Sequence, residues 1–219
     1  RDKAERTTPL DLVYNHIIIL AKNDEGLENL GKLNEISWNE GYYRKPRIDF
    51  EVLDKYGDGL IISSACMSGL INKAIEAGEF AVAKSHLEWF GNRFGEDFYV
   101  EVMPHNPPAI NAALIELADA GAYKIIVTPD CHHATDDQKV IQEMMLILNT
   151  HAKLEKDSSY DKSKKFNNMM ERLDYLYGKD RMMSFNKFDI HLLSADEMRE
   201  SMIKSGGFRE EFFTNTLEI

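Results

Sequence analysis

The sequence has few cysteines and no long apolar run. Cys66 and Cys131 are the only cysteines among 219 residues. They stand far apart without a CxxC spacing, so we expect no disulfide framework and a reducing, cytoplasmic setting. No run approaches the roughly 20 apolar residues that a membrane-spanning helix requires. The charged opening at 1–6 is unlike a signal peptide, and we expect no membrane partner.

Positive charge is also scarce. Lys and Arg number 26 against 37 Asp and Glu, which makes the net charge −11. This balance argues against a chain that grips nucleic acid by itself, although a metal site could still reach a DNA end presented by another domain. The glycine-rich loops that cradle nucleotide phosphates and the Gly-x-Ser-x-Gly elbow of hydrolases are both absent from the sequence.

Short apolar runs alternate with helical patterns along the first two thirds of the chain. With 43% hydrophobic residues, the chain can bury one good core. The run at 13–21 is β-branched and apolar on both faces, which predicts a fully buried strand of a parallel sheet. Further strands are predicted at 59–64, 98–103 and 124–128, with helices at 24–36, 50–56, 70–77, 79–94 and 111–120. This order is typical of an α/β fold with a parallel sheet or barrel.

The last third of the sequence is less regular. A long helix is predicted after residue 135, and 151–187 turns polar and irregular, which indicates an inserted excursion with one helix at 169–177. Residues 188–193 alternate like an exposed edge strand. Ser194 and Glu197 form a capping box for a helix that runs through Ile203, and a final helix is predicted at 208–219.

A polar stretch follows the predicted strand at 124–128. Side chains alternate along an extended chain, so Asp130 and His132 are expected to face the same way. A carboxylate and an imidazole projecting together suit Zn, Mn or Fe. Alternatively, Asp130 caps the next helix and His132 is an ordinary loop histidine.

The other predicted strands also carry groups that can bind metals. His16 lies in the first strand, Cys66 follows the second, and Glu101 and His105 stand at the end of the third. Each has a simpler explanation: a core histidine, a small buried hydrophobe, a paired strand carboxylate and a surface residue, respectively. Sites in α/β folds gather at the carboxyl ends of strands, so the shared placement favours one joint metal site.

The segment at 41–49 is unusually rich in aromatic and basic residues. Next to a site for anionic substrates, Arg47 could hold a phosphate in a forked geometry, and Lys45 could add a point charge. The segment could equally be a solvated rim with no ligand.

Several of these segments together resemble the polymerase and histidinol phosphatase (PHP) domain, in particular the one that opens the alpha subunit of bacterial or phage DNA polymerase III. The resemblance covers about residues 10–150, with a looser echo at 188–198 and in the last helix. It rests on the segments 16–23, 41–49, 59–69, 98–101 and 128–132.

The resemblance implies a distorted (β/α)7 barrel whose strand ends hold up to three Zn, Mn or Fe ions. The barrel would be incomplete, because the family's first strands and their His-x-His motif are absent. His16, Cys66, Asp130 and His132 match metal ligands of the family, and Asp130 and His132 would also be catalytic. Glu101 and His105 would support these ligands.

The resemblance further implies three segments and a function. Residues 1–150 would form the barrel segment, 151–187 the excursion, and 188–219 an edge strand and helices leading toward a polymerase palm. The site would hydrolyse phosphoesters, as a 3′ to 5′ exonuclease acting on a DNA 3′ end that the parent polymerase presents. Its partners would be the palm and thumb in cis and a separate proofreading subunit. The alternatives are an inactive structural or docking module of the replicase, and a free-standing PHP phosphatase.

Overall fold

The computed structural model describes residues 14–149, 163–178 and 184–219. The fold is mixed α/β. The chain divides into two compact units, Arg1–Thr128 with Glu200–Ile219 and Pro129–Arg199. Each unit is described separately below. The predicted segment bounds at 150 and 187 remain a prediction, because family segments need not coincide with compact units.

The first unit is built on a sheet whose strands are ordered β1-β2-β3-β4. These strands are β1 Ile18–Ala21, β2 Leu60–Ser63, β3 Phe98–Val102 and β4 Lys124–Val127. β2 and β3 pair in parallel, and so do β3 and β4. The four strands predicted from the short apolar runs are therefore confirmed.

The orientation and burial predicted for β1 are wrong. β1 runs antiparallel to β2, with Ile18 opposite Ser63. The side chains of Ile18 and Leu20 are 44% and 41% exposed. Branched side chains favour an extended chain on an edge strand as well as in a buried strand. The composition therefore cannot distinguish an edge strand from one that is buried on both faces. Because of this orientation, residues that precede β1 lie near residues that follow β2.

Helices connect and flank the strands. They are α1 Asp24–Asn39, α2 Phe50–Lys55, α3 Leu70–Glu76, α4 Phe80–Phe94, α5 Pro108–Gly121, α6 Lys139–Asn149, α7 Met169–Tyr177, α8 Ala195–Lys204 and α9 Glu210–Thr216. Side chains cap several of them: Asn23 accepts from the Gly26 amide at 2.8 Å, and Asp49 accepts from the amide of Val52 at 3.0 Å. No helix within the described ranges is long and apolar enough to cross a membrane.

The core of the first unit lies between the sheet and its helices. Ile62, Val100 and Leu114 are fully buried, and Phe98 stacks on Phe90 with ring centroids 5.3 Å apart. Fully burying such side chains contributes roughly 1.5 to 3 kcal/mol each. α9 belongs to the same core because Phe212 is fully buried. The chain therefore returns to β4 after the second unit.

The second unit holds α6 and α7 and a short C-terminal segment. The helix predicted at 169–177 is confirmed, whereas the parts of the predicted excursion at 151–162 and 179–183 lie outside the described residues. The edge strand predicted at 188–193 is wrong: only an isolated bridge between His133 and His191 forms there. The segment that contains His133 continues into a 3-10 helix at Asp136–Gln138, so no second β-bridge forms beside the first. The capping box of Ser194 and Glu197 is confirmed, with a 2.8 Å bond from the Ser194 amide.

Candidate metal centre

His16 and Cys66 meet at one end of the sheet. The His16 amide donates to the Ser68 carbonyl at 2.9 Å, and His16 bridges to Gly69. This places His16 Nδ1 3.6 Å from Cys66 Sγ. The two residues are 50 positions apart, and the antiparallel pairing of β1 with β2 brings them together. His16 is exposed, so the alternative of a core histidine is not supported.

The loop that carries Cys66 has a defined shape. Ala65 has a positive φ of 60°, a conformation that residues with a Cβ adopt uncommonly. The fully buried Asn72 donates from Nδ2 to the Cys66 carbonyl at 2.8 Å. The Gly69 amide donates to the same carbonyl at 2.7 Å. The position of the thiol is therefore set by its backbone and by the start of α3.

Glu101 joins three neighbouring segments of the first unit. It lies near the carboxyl end of β3 and is only 3% exposed. Its carboxylate accepts hydrogen bonds from the Ser63 hydroxyl, from the Ala65 amide at 3.1 Å and from the Thr128 hydroxyl at 2.5 Å. We call this set of four residues the Glu101 clamp. Sequence reasoning found Glu101 but not these three partners. The alternative that it weighed, a strand carboxylate paired with Lys or Arg, is not supported, because the donors are two hydroxyls and an amide.

His105 lies in a turn that follows β3. The turn is held by asparagines: the Asn106 amide donates to the Met103 carbonyl at 3.1 Å, and Asn111 Nδ2 donates to it at 2.8 Å. His105 is half-buried in this turn. Its predicted role in supporting the metal ligands stays a prediction.

Asp130 and His132 approach each other in the second unit. Asp130 Oδ2 lies 3.7 Å from His132 Nε2, and both side chains are about one third exposed, at 33% and 34%. The prediction that they face the same way is confirmed. The extended chain that it assumed is wrong, because Asp130 has a positive φ of 48°. A left-handed turn at Asp130 thus accompanies the approach of the two side chains.

Three residues of the second unit fix the His132 ring. The Gln142 side chain lies 3.3 Å from His132 Nδ1, and the Phe185 ring centroid lies 5.0 Å from that of His132. The fully buried Glu143 in turn accepts from the Phe185 amide at 2.6 Å. The contact is made by the amide nitrogen Nε2 of Gln142, and it fixes the orientation of the His132 ring. Sequence reasoning missed the roles of Gln142 and Glu143, because the hydrophobic pattern predicted only that they lie on a helix.

The second cysteine lies in a different environment. Cys131 Sγ donates to the His191 carbonyl at 3.4 Å. Burial raises the pKa of the Cys131 thiol, and the negative charge of Asp130 raises that pKa further. The thiol form is therefore favoured at Cys131. Because its sulfur bonds a backbone carbonyl, Cys131 serves as the control for Cys66.

The two basic residues predicted to bind phosphate lie in the loop between α1 and α2. Arg47 Nε donates to the Gly41 carbonyl at 2.9 Å, and its guanidinium lies 5.6 Å from the Tyr43 ring centroid. Arg47 thus braces the loop, whereas Lys45 is exposed. Their role toward phosphate stays a prediction.

The donor atoms of His16 and Cys66 are spaced like two ligands of one transition metal. Zn–S and Zn–N bonds of about 2.3 and 2.05 Å at a tetrahedral angle separate sulfur from nitrogen by about 3.6 Å. The separation of Cys66 Sγ and His16 Nδ1 is 3.6 Å. Within the described ranges, however, no group of three or more His, Cys, Asp or Glu side chains could hold one ion. The set of four ligands therefore stays a prediction.

Comparison with known families identifies the domain. Residues 4–105 match the family model of the PHP domain. The match contains β1, β2, β3 and the pair of His16 and Cys66. The chain therefore carries a PHP-domain sequence at residues 4–105.

Its curated relatives include the alpha subunits of bacterial DNA polymerase III. The subunit of Aquifex aeolicus is 35% identical over 151 residues, which are 68% of this chain and 13% of that protein. That of Borreliella burgdorferi is 35% identical over 175 residues, 73% of this chain and 15% of the relative. The subunit of Thermus aquaticus is 27% identical over 218 residues, which are 98% of this chain and 16% of that protein. The chain thus spans 13% to 16% of these relatives.

Proposed function

We propose that this chain is the PHP domain of a replicative DNA polymerase alpha subunit, and that its site hydrolyses phosphodiesters at a DNA 3′ end with the help of metal ions. The relatives named above support the role in replication. The observation that carries the hydrolytic part is the 3.6 Å approach of His16 Nδ1 to Cys66 Sγ at the carboxyl end of β2. The strands and helices would belong to a partial PHP-type barrel.

His16 and Cys66 would be ligands of a Zn, Mn or Fe ion in the first unit, and Asp130 and His132 would be ligands in the second unit. Such an ion supplies Lewis-acid polarisation of the phosphodiester and activation of water. The protein's own residues keep the ligands in place. The Glu101 clamp holds the backbone beside Cys66, and Gln142 orients the His132 ring.

Asp130 and His132 would also handle protons, and two basic residues would bind the substrate. The partly exposed Asp130 carboxylate can accept a proton, and His132 Nε2 lies 3.7 Å from it. Lys45 is exposed and would meet a phosphate oxygen, and Arg47, whose Nε donates to the Gly41 carbonyl, would add the positive charge of its guanidinium. The DNA end would be delivered by the palm and thumb of the parent polymerase.

A second function is favoured by one observation. Because no group of three ligands occurs within the described residues, the chain could instead be a structural module that braces the polymerase and docks a separate proofreading subunit. A chelator would then change the melting temperature only if metal still binds, and no nuclease activity would appear.

The test is a titration of the 219-residue chain with Co²⁺. A thiolate ligand produces a sulfur-to-cobalt charge-transfer band in the near ultraviolet, so we expect this band in the wild type and not in Cys66→Ser. The matched control is Cys131→Ser, which keeps the band because Cys131 Sγ bonds the His191 carbonyl. A band that persists in Cys66→Ser would contradict the metal site.

A nuclease assay separates the two functions. With Mn²⁺ and a single-stranded DNA, the hydrolytic proposal expects shortening from the 3′ end that Asp130→Ala abolishes. Metal binding without any shortening, in the chain and in a polymerase that contains it, would assign the domain to the structural role.

A further inference from the structure

Two aromatic rings are exposed at the end of α1. Trp38 is 55% exposed and Tyr42 is 43% exposed. Their ring centroids are 5.3 Å apart, and the ring planes differ by 13°. By contrast, Trp89 packs into an aromatic cluster, with its ring centroid 4.5 Å from that of Phe50. A stacked pair that solvent can reach offers a flat apolar face to a third ring.

The loop after this pair has a defined conformation. Gly41 allows a close reversal, because a Cβ there would lie 2.0 Å from the Arg47 carbonyl oxygen. The Tyr43 amide donates to the Lys45 carbonyl at 3.0 Å. Arg44 occupies the tip of this turn with a φ of 62°. Arg44 and Lys45 therefore follow the aromatic pair closely in sequence. The turn gives their backbone a defined conformation.

These two basic side chains are not used by the fold. Arg44 and Lys45 are exposed, and neither forms an ion pair within the described part of the chain. Of the acidic residues in 40–49, Asp49 is committed to capping α2, and Glu40 lies at the end of α1. Against a net charge of −11, this loop is a local concentration of positive charge.

We propose that Trp38, Tyr42, Arg44 and Lys45, named here the Trp38 platform, bind single-stranded DNA. A base stacks on the aromatic pair, and the basic side chains hold the adjoining phosphates. Charge complementarity selects a polyanion, and the exposed rings select one whose bases have free faces, which duplex DNA does not offer. This binding needs no metal and goes beyond the proposed hydrolysis.

Fluorescence anisotropy measures the affinity with a labelled oligothymidine of about ten nucleotides, a typical length for such sites. The 219-residue chain is used with EDTA present. We expect Trp38→Ala and Tyr42→Ala each to weaken binding about fivefold or more. The matched control is Phe80→Ala, whose side chain is 51% exposed elsewhere and whose loss leaves the affinity unchanged.

The charge contribution is tested by salt dependence. Each phosphate contact on single-stranded DNA adds about 0.7 to the slope of log affinity against log salt, so Arg44→Ala with Lys45→Ala lowers this slope by about 1.4. The control pair Lys187→Ala with Lys204→Ala, both exposed, leaves it unchanged.

Tryptophan fluorescence tests the stacking directly. The chain has two tryptophans, so Trp89→Phe leaves Trp38 as the reporter, and oligothymidine is expected to quench it. An abasic oligonucleotide of equal length would keep only the salt-dependent part of binding.

Three results would overturn the proposal: wild-type affinity in both aromatic variants, equal affinity for duplex and single strand, or self-association of the chain that Trp38→Ala abolishes. Because EDTA is present throughout, failure of the DNA-binding proposal does not affect the metal proposal. Loss of the Co²⁺ band likewise does not affect the DNA-binding proposal.

Discussion

Replacing Glu101 with alanine tests the Glu101 clamp most directly. The carboxylate is 3% exposed and accepts from Ser63, Ala65 and Thr128, which lie on or directly after the two neighbouring strands. The Ala65 amide is itself buried and cannot turn to another acceptor, whereas the two hydroxyls can rotate. The substitution therefore leaves one donor without a partner, weakens two further bonds and opens a small cavity.

The magnitude follows from these losses. A buried donor without a partner costs about 1 to 3 kcal/mol, and each lost hydroxyl bond costs about 1 kcal/mol. Together with the cavity, we expect Glu101→Ala to lower the free energy of unfolding by about 3 to 5 kcal/mol. Glu101→Gln should cost only about 1 to 2 kcal/mol, because its amide oxygen can still accept from Ser63 and Ala65 while its NH₂ donates to the Thr128 hydroxyl.

Urea unfolding followed by circular dichroism measures both values. Glu88→Ala is the matched control: its carboxylate is 55% exposed and lies 3.7 Å from Lys84, so its loss costs about 0.5 kcal/mol or less. The reasoning is refuted if Glu101→Ala costs less than about 1 kcal/mol, or if glutamine is no better tolerated than alanine. The same variants also report on the metal site, because a displaced Cys66 loop would weaken the Co²⁺ band.

Two further predictions concern packing and charge. Gly26→Ala should destabilise the chain by about 1 to 3 kcal/mol in the same unfolding assay, because its Cβ would lie 1.8 Å from the Gly59 carbonyl oxygen. Gly31→Ala, with no atom within 4 Å, should be neutral or stabilising by up to about 1 kcal/mol, and a similar loss in both variants would contradict the close contact. Hydrogen bonds from Arg209 lower the pKa of Asp119 from its ordinary value of 3.8. This lowered pKa contributes stability above about pH 4 that is lost as the pH falls through the lower folded pKa. The melting temperature of Arg209→Ala should therefore lie below that of the wild type near neutral pH and approach it below about pH 4. A constant difference across this range would contradict the assignment.

Much of the fold could be predicted from local pattern. Apolar runs bounded by turn residues located all four strands, and the capping residues Asn23 and Asp49 mark helix starts. The direction of β1 could not be predicted, because an apolar run has the same composition whichever way it pairs. The strand expected at 188–193 failed for a related reason: its alternation was present, but the neighbouring chain offered a single bridging residue.

The candidate site divides in the same way. His16, Cys66, Asp130 and His132 were recognisable because their residue types bind metals and stand beside strands. That His16 Nδ1 lies 3.6 Å from Cys66 Sγ depends on antiparallel pairing across 50 positions, which no local signal contains. Gln142 was beyond prediction because a glutamine on a helix acquires its role only from the ring that it contacts.

The amino-acid sequence by itself located β1 to β4 and the helices around them, because periodicity and caps act over a few residues. It also carries the resemblance to the PHP domain, through the motifs at 16–23, 41–49, 59–69, 98–101 and 128–132. Only the tertiary structure decided the direction of β1, the three donors around Glu101 and the exposure of the Trp38 platform. Each of these depends on which distant segments pack together, and that is settled by the burial and hydrogen bonding of the whole chain.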